Sequence, residues 1–367
     1  MTSRERTLTA YRGGQPDRVP VRIWGVEPGM EPPHPVYAPL VAAAQERTDM
    51  VASWAAATGV FMTVSDEVSV RTEERPSRHA EYRDSITTYT TPAGEITSVF
   101  TFSPAGRPGY TAKYLLETRE DIERLLSIPY VPPRPDVSSY FEKQERLGDE
   151  APICVGFGVD AMYAVNSIMG SETFAIMSIE DRATLRRLLD VFQQRTYEYL
   201  EYLLQQGVGP LFGYVGPELC IPPLQSPMDF DEFVVPYDRE LADLVHRYGG
   251  IMWVHCHGRM GPVLEKFADM HADCLNPIEP PPMGDVTLAE AKRRVGGRLA
   301  LEGNIQSGDF YRVTPDQMRR LVRRALEEGA PGGGFTLCPT STPWNDPTVD
   351  GQTIDNWLAF IDEASNQ

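Results

Sequence analysis

From Ala151 onward the chain repeats one rhythm, a short apolar run followed by a loop and then an amphipathic helix. The runs are "APICVGFGV", "GPLFGYVGPE", "IMWVHC", "CLNPIE", "RLALEGN" and "GFTLCPT". Near-continuous apolar runs of this kind suit strands covered on both faces. Strands alternating with helices at this spacing imply a parallel sheet with right-handed crossovers. Four closely spaced units at the C-terminal end, with at least two earlier ones, favour a (β/α)8 TIM barrel. An open doubly wound sheet is the alternative. No G-x-G-x-x-G follows a strand, so its dinucleotide-binding version has no support.

The helical segments carry their own punctuation. "SIEDRATLRRLLDVFQQRTYEYLEYLLQQG" is expected to open with a capping box of Ser178 and Asp181 and to bury Leu185, Leu188, Leu189 and Phe192 on one face. Pro236 requires a break or a new start within "DFDEFVVPYDRELADLVHRYGG". Thr314, Pro315 and Gln317 form the start signal of the helix after "LEGN".

The first 150 residues are irregular. "DSITTYTTPAGEITSVFTF" alternates around a Pro-Ala-Gly turn and predicts an antiparallel hairpin, and "TREDIERLLSI" predicts a short helix. The expected organisation is one barrel domain over residues 1–367. Residues 1–150 would supply N-terminal additions and the first barrel units, and 151–367 the regular ones.

Charge and cysteine usage narrow the partners. Lys plus Arg is 34 and Asp plus Glu is 52, a net charge of −18. Such a surface repels nucleic acid and anionic lipid and leaves a small-molecule substrate. No apolar run reaches the length of a membrane span, and the N-terminus lacks a signal-peptide core. Five scattered cysteines read as reduced thiols, as expected of a cytoplasmic protein.

Barrel active sites lie at the C-terminal ends of the strands. There stand Glu218, the run His255, Cys256, His257, then Glu279, Asn304, Cys338, Thr340 and Ser341. In an extended strand end, side chains at i and i+2 share a face, so His255 and His257 both point to the mouth and Cys256 points away. Two imidazoles with a carboxylate from the next strand are a credible ligand set for a divalent ion such as zinc. The metal candidates are thus His255, His257, Glu279 and Cys338. Glu279 has two other readings, orienting a histidine or pairing with Arg259. A hydrogen-bonded imidazole pair without metal is the alternative for the histidines, and an ordinary buried thiol the alternative for Cys338. Glu218 is a candidate ligand, base or substrate anchor, with helix capping as the alternative. Asn304, Tyr214 and Trp253, with Trp24 and Trp344, are candidates for binding a cofactor or a planar or methylated ligand, although each aromatic could be core. His246 reads as a surface or capping residue, and His34, His79 and His271 have no supporting neighbours.

"SRERTLTAYRGGQPDRVPV", "HCHGRMGPVLEKFADMHADCLNPIEPPPMGD", "LEGNIQ" and "APGGGFTLCPT" together resemble the uroporphyrinogen decarboxylase superfamily, most of all its uncharacterised and methyltransferase-like members. The resemblance runs from about residue 3 to 362 and implies a (β/α)8 barrel with N-terminal additions. True decarboxylases carry an early Arg-Gln-Ala-Gly-Arg motif for their acidic tetrapyrrole. Here "RIWGVEPGM" offers only Arg22, and binding many carboxylates needs clustered arginines. The other branch comprises zinc methyltransferases that pass a methyl group between a corrinoid and a thiol, with His-x-Cys and a distant Cys as ligands. His255 falls on that His and His257 on the first Cys. Glu279 lies near a Glu found in some members, and the last Cys falls near Thr340 or Ser341. Replacing sulfur by imidazole and carboxylate makes the ion a harder Lewis acid.

The expected function is a metal-dependent methyltransferase or demethylase working with a folate or a corrinoid, free or on a partner protein. The alternatives are a metal-dependent lyase, decarboxylase or hydrolase on a small organic acid, and a non-catalytic ligand- or corrinoid-binding barrel.

Overall fold

The strands, in chain order, are β1 (Ala52–Trp54), β2 (Ser69–Pro76), β3 (Arg83–Thr91), β4 (Gly94–Phe102), β5 (Tyr110–Lys113), β6 (Ile153–Val159), β7 (Leu211–Val215), β8 (Ile251–His255), β9 (Cys274–Ile278), β10 (Ala300–Ile305) and β11 (Phe335–Pro339). They form two sheets in a computed structural model that describes residues 1–345 and 350–366. Two compact units emerge. One comprises Met1–Ala56, Asp136–Asp160 and Leu200–Gln367, and the other Ala57–Pro135 and Ala161–Tyr199.

The first unit holds the seven-stranded parallel sheet β1-β6-β7-β8-β9-β10-β11. An eighth position comes from the segment around Val21, which bridges Leu337 in parallel. Arg22 N donates to Leu337 O and Leu337 N to Pro20 O, each at 2.9 Å, while Asp49 N, just before β1, donates to Val21 O at 2.6 Å. The expected (β/α)8 barrel is therefore present, with one position too short to register as a strand. Every residue of β8, β9 and β11 is buried, as sheet covered by helices requires. Inside the barrel, Leu211, Ile251, Trp253, Cys274 and Ala300 pack with Tyr11 and Val51 into one cluster. The N-terminal helix Ser3–Tyr11 thus delivers an aromatic to the barrel interior.

Most of the helical grammar holds. Helix Pro315–Gly329 has its Thr314–Gln317 capping box, and Pro236 opens a new helix, Val235–Arg247, directly after Pro227–Phe233. The Ser178–Asp181 box does not form. Ser178 lies inside the helix Ser171–Glu180, where its Oγ donates to Ala175 O at 2.8 Å. Asp181 alone caps the next helix, Arg182–Gln205, accepting from Thr184 N at 3.3 Å. The four apolar residues expected on that helix are buried.

The second unit contains the antiparallel sheet β2-β3-β4-β5. The predicted hairpin is β3–β4, in register from Arg83↔Phe102 to Thr91↔Gly94. Its flanking strands went unrecognised in the sequence, β2 because it is charged and exposed along its whole length. The expected helix is Arg119–Leu126, and it buries Ile122 and Leu125 behind a Thr118 cap. Among the described residues, no helix is long and apolar enough to cross a membrane. All five cysteines are free thiols.

Candidate active site at the barrel mouth

His255 closes β8 and His257 follows after one residue. Their ring centroids are 4.6 Å apart with an interplanar angle of 83°, so the two imidazoles share one side as the i, i+2 rule requires. Cys256 is fully buried on the other side, its thiol directed at His257 O at 3.8 Å. It packs rather than reacts, and burial pushes its pKa well up.

The surroundings of the two histidines differ sharply. His255 is 4% exposed. Its ring lies 4.3 Å from Trp24 in an edge arrangement and is stacked near Trp253. Its Nδ1 is 2.8 Å from Asn276 Oδ1, and Asn276 Nδ2 donates to Glu302 Oε1 at 3.0 Å. This chain fixes the tautomer. Glu302 accepts from Asn276, so the amide oxygen faces the histidine, and His255 must carry its hydrogen on Nδ1. The Nε2 lone pair is left for another partner. Burial, the neighbouring His257 and Arg22 push the His255 pKa down to about 3 against the Asn276 bond, so the ring stays neutral.

Glu302 anchors this chain from inside the barrel, and sequence reasoning overlooked it. Besides Asn276 it accepts from Arg22 Nη1 (2.9 Å), Tyr11 O–H (2.5 Å) and Trp253 Nε1 (3.0 Å). Cys338, an expected ligand, belongs to this cluster instead. It is buried, its thiol interacts with Glu302, and its pKa is pushed well up by desolvation and that carboxylate. The available signal was an acid within the apolar run "LALEGN", which demands buried partners.

His257 has a side chain 39% exposed, and its Nδ1 lies 3.3 Å from Glu279 Oε1. Glu279 Oε2 accepts from Gly258 N at 2.9 Å, so both carboxylate oxygens are engaged and Arg259 is not the partner. Burial disfavours the Glu279 anion, but His257 and the Gly258 amide outweigh it and lower the pKa. Gly258 sits at φ 102°, a conformation that suits glycine, and this aims its N–H at the acid. Glu218, from the turn after β7, lines the same open cleft of about 480 Å³ as His257, Glu279 and Arg259. Its buried Oε2 has no hydrogen-bond partner. Desolvation raises its pKa against the local backbone amides and His257.

The remaining candidates divide. Trp24, Tyr214 and Trp253 line a second cleft with Arg22 and Trp54. Tyr214 O–H is committed to buried Asp238 Oδ2 at 2.6 Å. Asn304 opens onto a separate cleft with Gln306 and Asp309, and Trp344 packs edge-on against Tyr37. Thr340 Oγ1 accepts from Ser307 N at 3.0 Å. His246 pairs with Asp273 at 2.7 Å in the last turn of its helix.

The donor set suits a divalent ion in kind, since it offers a neutral imidazole with a free Nε2, a second imidazole and an orphaned carboxylate oxygen. Among the described residues, no three His, Cys, Asp or Glu side chains stand close enough together to hold a metal ion.

The uroporphyrinogen decarboxylase of Pseudoalteromonas translucida is 29% identical over 48% of this chain and 49% of its own length. The methylcobamide:CoM methyltransferase MtaA of Methanosarcina barkeri is 25% identical over 52% of this chain and 55% of its own. The chain spans about half the length of the curated relatives it matches. A solved methyltransferase from Methanosarcina mazei shares the fold over 99% of both chains, with a TM-score of 0.59 and 18% identity. Residues 91–339, well over half of the sequence, match the family described as Uroporphyrinogen decarboxylase (URO-D), and the chain belongs to that family.

Proposed function

We propose that the protein is an enzyme that moves a methyl group between a small substrate and a corrinoid or folate carrier, using a divalent metal ion such as zinc at the barrel mouth. The observation that carries this reading is the neutral His255, whose Nδ1–H is tied to Asn276 and whose Nε2 lone pair is left unused next to a second imidazole. Imidazoles held in this way through one nitrogen are the usual form of a metal-binding histidine. The similarity to a methylcobamide:CoM methyltransferase supports the choice of chemistry.

His255 and His257 would hold the ion through Nε2. Of the readings open for Glu279, its geometry favours orienting His257 through Nδ1, because Gly258 takes its other oxygen. When bound, the ion would act as a Lewis acid toward the heteroatom that gains or loses the methyl group. Glu218, with its unpartnered oxygen and raised pKa, would take the proton released when this heteroatom gains the methyl group and return one when it loses it. Trp24 and Trp253 keep water from the inner face of His255.

The test is incubation of zinc-loaded protein with methylcobalamin and a panel of thiols, followed by the absorbance of cob(I)alamin. Demethylation that depends on zinc and disappears in His255→Ala is expected. Its absence across the panel, with stoichiometric metal retained by both His255→Ala and His257→Ala, would refute the reading.

A further inference from the structure

The cleft beside His255 has a composition that defines its occupant. Trp24 and Trp253 supply aromatic surface, while Gly156, Gly158 and Gly213 contribute no side chains. Along β6, Ile153, Val155 and Phe157 are buried, whereas the alternate residues Cys154, Gly156 and Gly158 line the cleft. The glycines are not interchangeable. A Cβ on Gly213 would come within 2.7 Å of Cys154 Sγ and 2.9 Å of Trp253, so its absence lets Trp253 lie against the wall. A Cβ on Gly156 would meet only Ala55 Cβ at 3.7 Å and Trp54 O at 3.8 Å, so that glycine leaves ligand space open.

Size sets a limit. The cleft holds about 320 Å³, and with a water occupying roughly 30 Å³ that is room for about ten water-sized groups. A tetrapyrrole does not fit, and one ring with one or two substituents does. Polarity sets the rest. Arg22 is 7% exposed and lines the cleft. Among the described residues its side-chain hydrogen bonds run through Nη1, to Glu302 and Tyr11, which leaves donors on Nε and Nη2. An unused guanidinium donor in an apolar cleft calls for an oxygen acceptor.

We propose that this cleft binds a planar single-ring aromatic molecule bearing an oxygen acceptor, with the oxygen on Arg22 and the ring against the wall that Trp24 and Trp253 form. As the substrate of the site it rests on the methyl-transfer reading. As a bound ligand it stands without it. Trp24 and Trp253, which wall the cleft, also touch His255, so a ring seated there is one side chain away from the imidazole.

The test measures binding of 3-methoxybenzoate, 3-methoxyphenol and cyclohexanecarboxylate to the purified full chain, by calorimetry and tryptophan fluorescence. The phenol separates an acidic from a neutral oxygen. Saturable binding of either aromatic, with the puckered acid roughly tenfold weaker, is expected from ring-on-ring contact. Gly156→Leu fills the open space and should abolish that binding while leaving the melting temperature near wild type. Equal binding of the puckered and flat acids, no binding of either aromatic, or unchanged binding by folded Gly156→Leu overturns the proposal. Ring binding without any methyl transfer would instead sink the reading of the previous subsection and leave this one intact.

Discussion

Two layers of the same barrel, one residue apart along β8 and its extension, obey opposite rules. The inner layer is a buried polar network centred on Glu302, which accepts from Tyr11, Arg22, Trp253 and Asn276. The outer layer, with Glu218, His257 and Glu279, opens onto a cleft and contains a carboxylate oxygen with no partner. The lesson is a division of labour. Satisfied buried groups hold position, because moving any of them strands another. An unsatisfied group at an accessible rim is ready for a ligand or a proton. His255 belongs to both layers, fixed from below through Nδ1 and in ring contact with His257 above.

The largest expected effect breaks the inner layer. Glu302→Ala leaves Arg22 buried without its counter-charge, and a loss of about 3–5 kcal/mol in chemical denaturation is expected. Asn276→Leu should cost less, about 1–3 kcal/mol, because it strands one donor on His255 and removes one from Glu302. A cost for Glu302→Ala no greater than for Glu279→Ala at the rim would erase the contrast between the layers.

At the rim the sign reverses. The Glu218 carboxyl has a pKa raised above its ordinary 4.5 in the folded state, chiefly by burial. A raised carboxyl favours the folded state at low pH, and that contribution is lost as pH climbs through the folded value. Glu218→Gln should therefore match wild type in stability near pH 4 and equal or exceed it near pH 8, while methyl transfer falls. A melting-temperature deficit that grows with pH would contradict this.

The smallest effect concerns His246, raised by its Asp273 bond against burial. Its contribution is complete below the ordinary histidine value of 6.5 and fades as pH rises through the folded one. His246→Gln should lower the melting temperature slightly at pH 6 and not at pH 9.

Much of this was legible from residues, and the illegible parts share a cause. The strand–helix rhythm produced the barrel, and the position of active sites in such barrels drew attention to Glu218, His255, His257 and Glu279. The eighth barrel position stayed hidden because the segment at Val21 is held by backbone bonds to Leu337 and leaves no apolar period. Strand β2 stayed hidden because "SVRTEERP" is exposed and carries no alternation. Ser178 and Asp181 had capping-box spacing, but the chain begins a new helix between them. The Glu302 network joins residues 280 and 291 positions apart, and no local pattern reveals such a pairing. Cys338 looked like a ligand by position, yet its thiol turns to that buried acid. Local patterns report what a residue can do, and long-range pairing decides which option it takes.

The account rests on the protonation and tautomer of His255. Six histidines make nitrogen-15 labelling and long-range proton–nitrogen spectra of the metal-free full chain tractable, with His255→Gln to assign the signal. A neutral ring with its hydrogen on Nδ1, unchanged from pH 8 to pH 5 and moved by Asn276→Leu, is the expected result. A hydrogen on Nε2, or titration near the ordinary pH 6.5, would contradict the fixed imidazole and the site built around it.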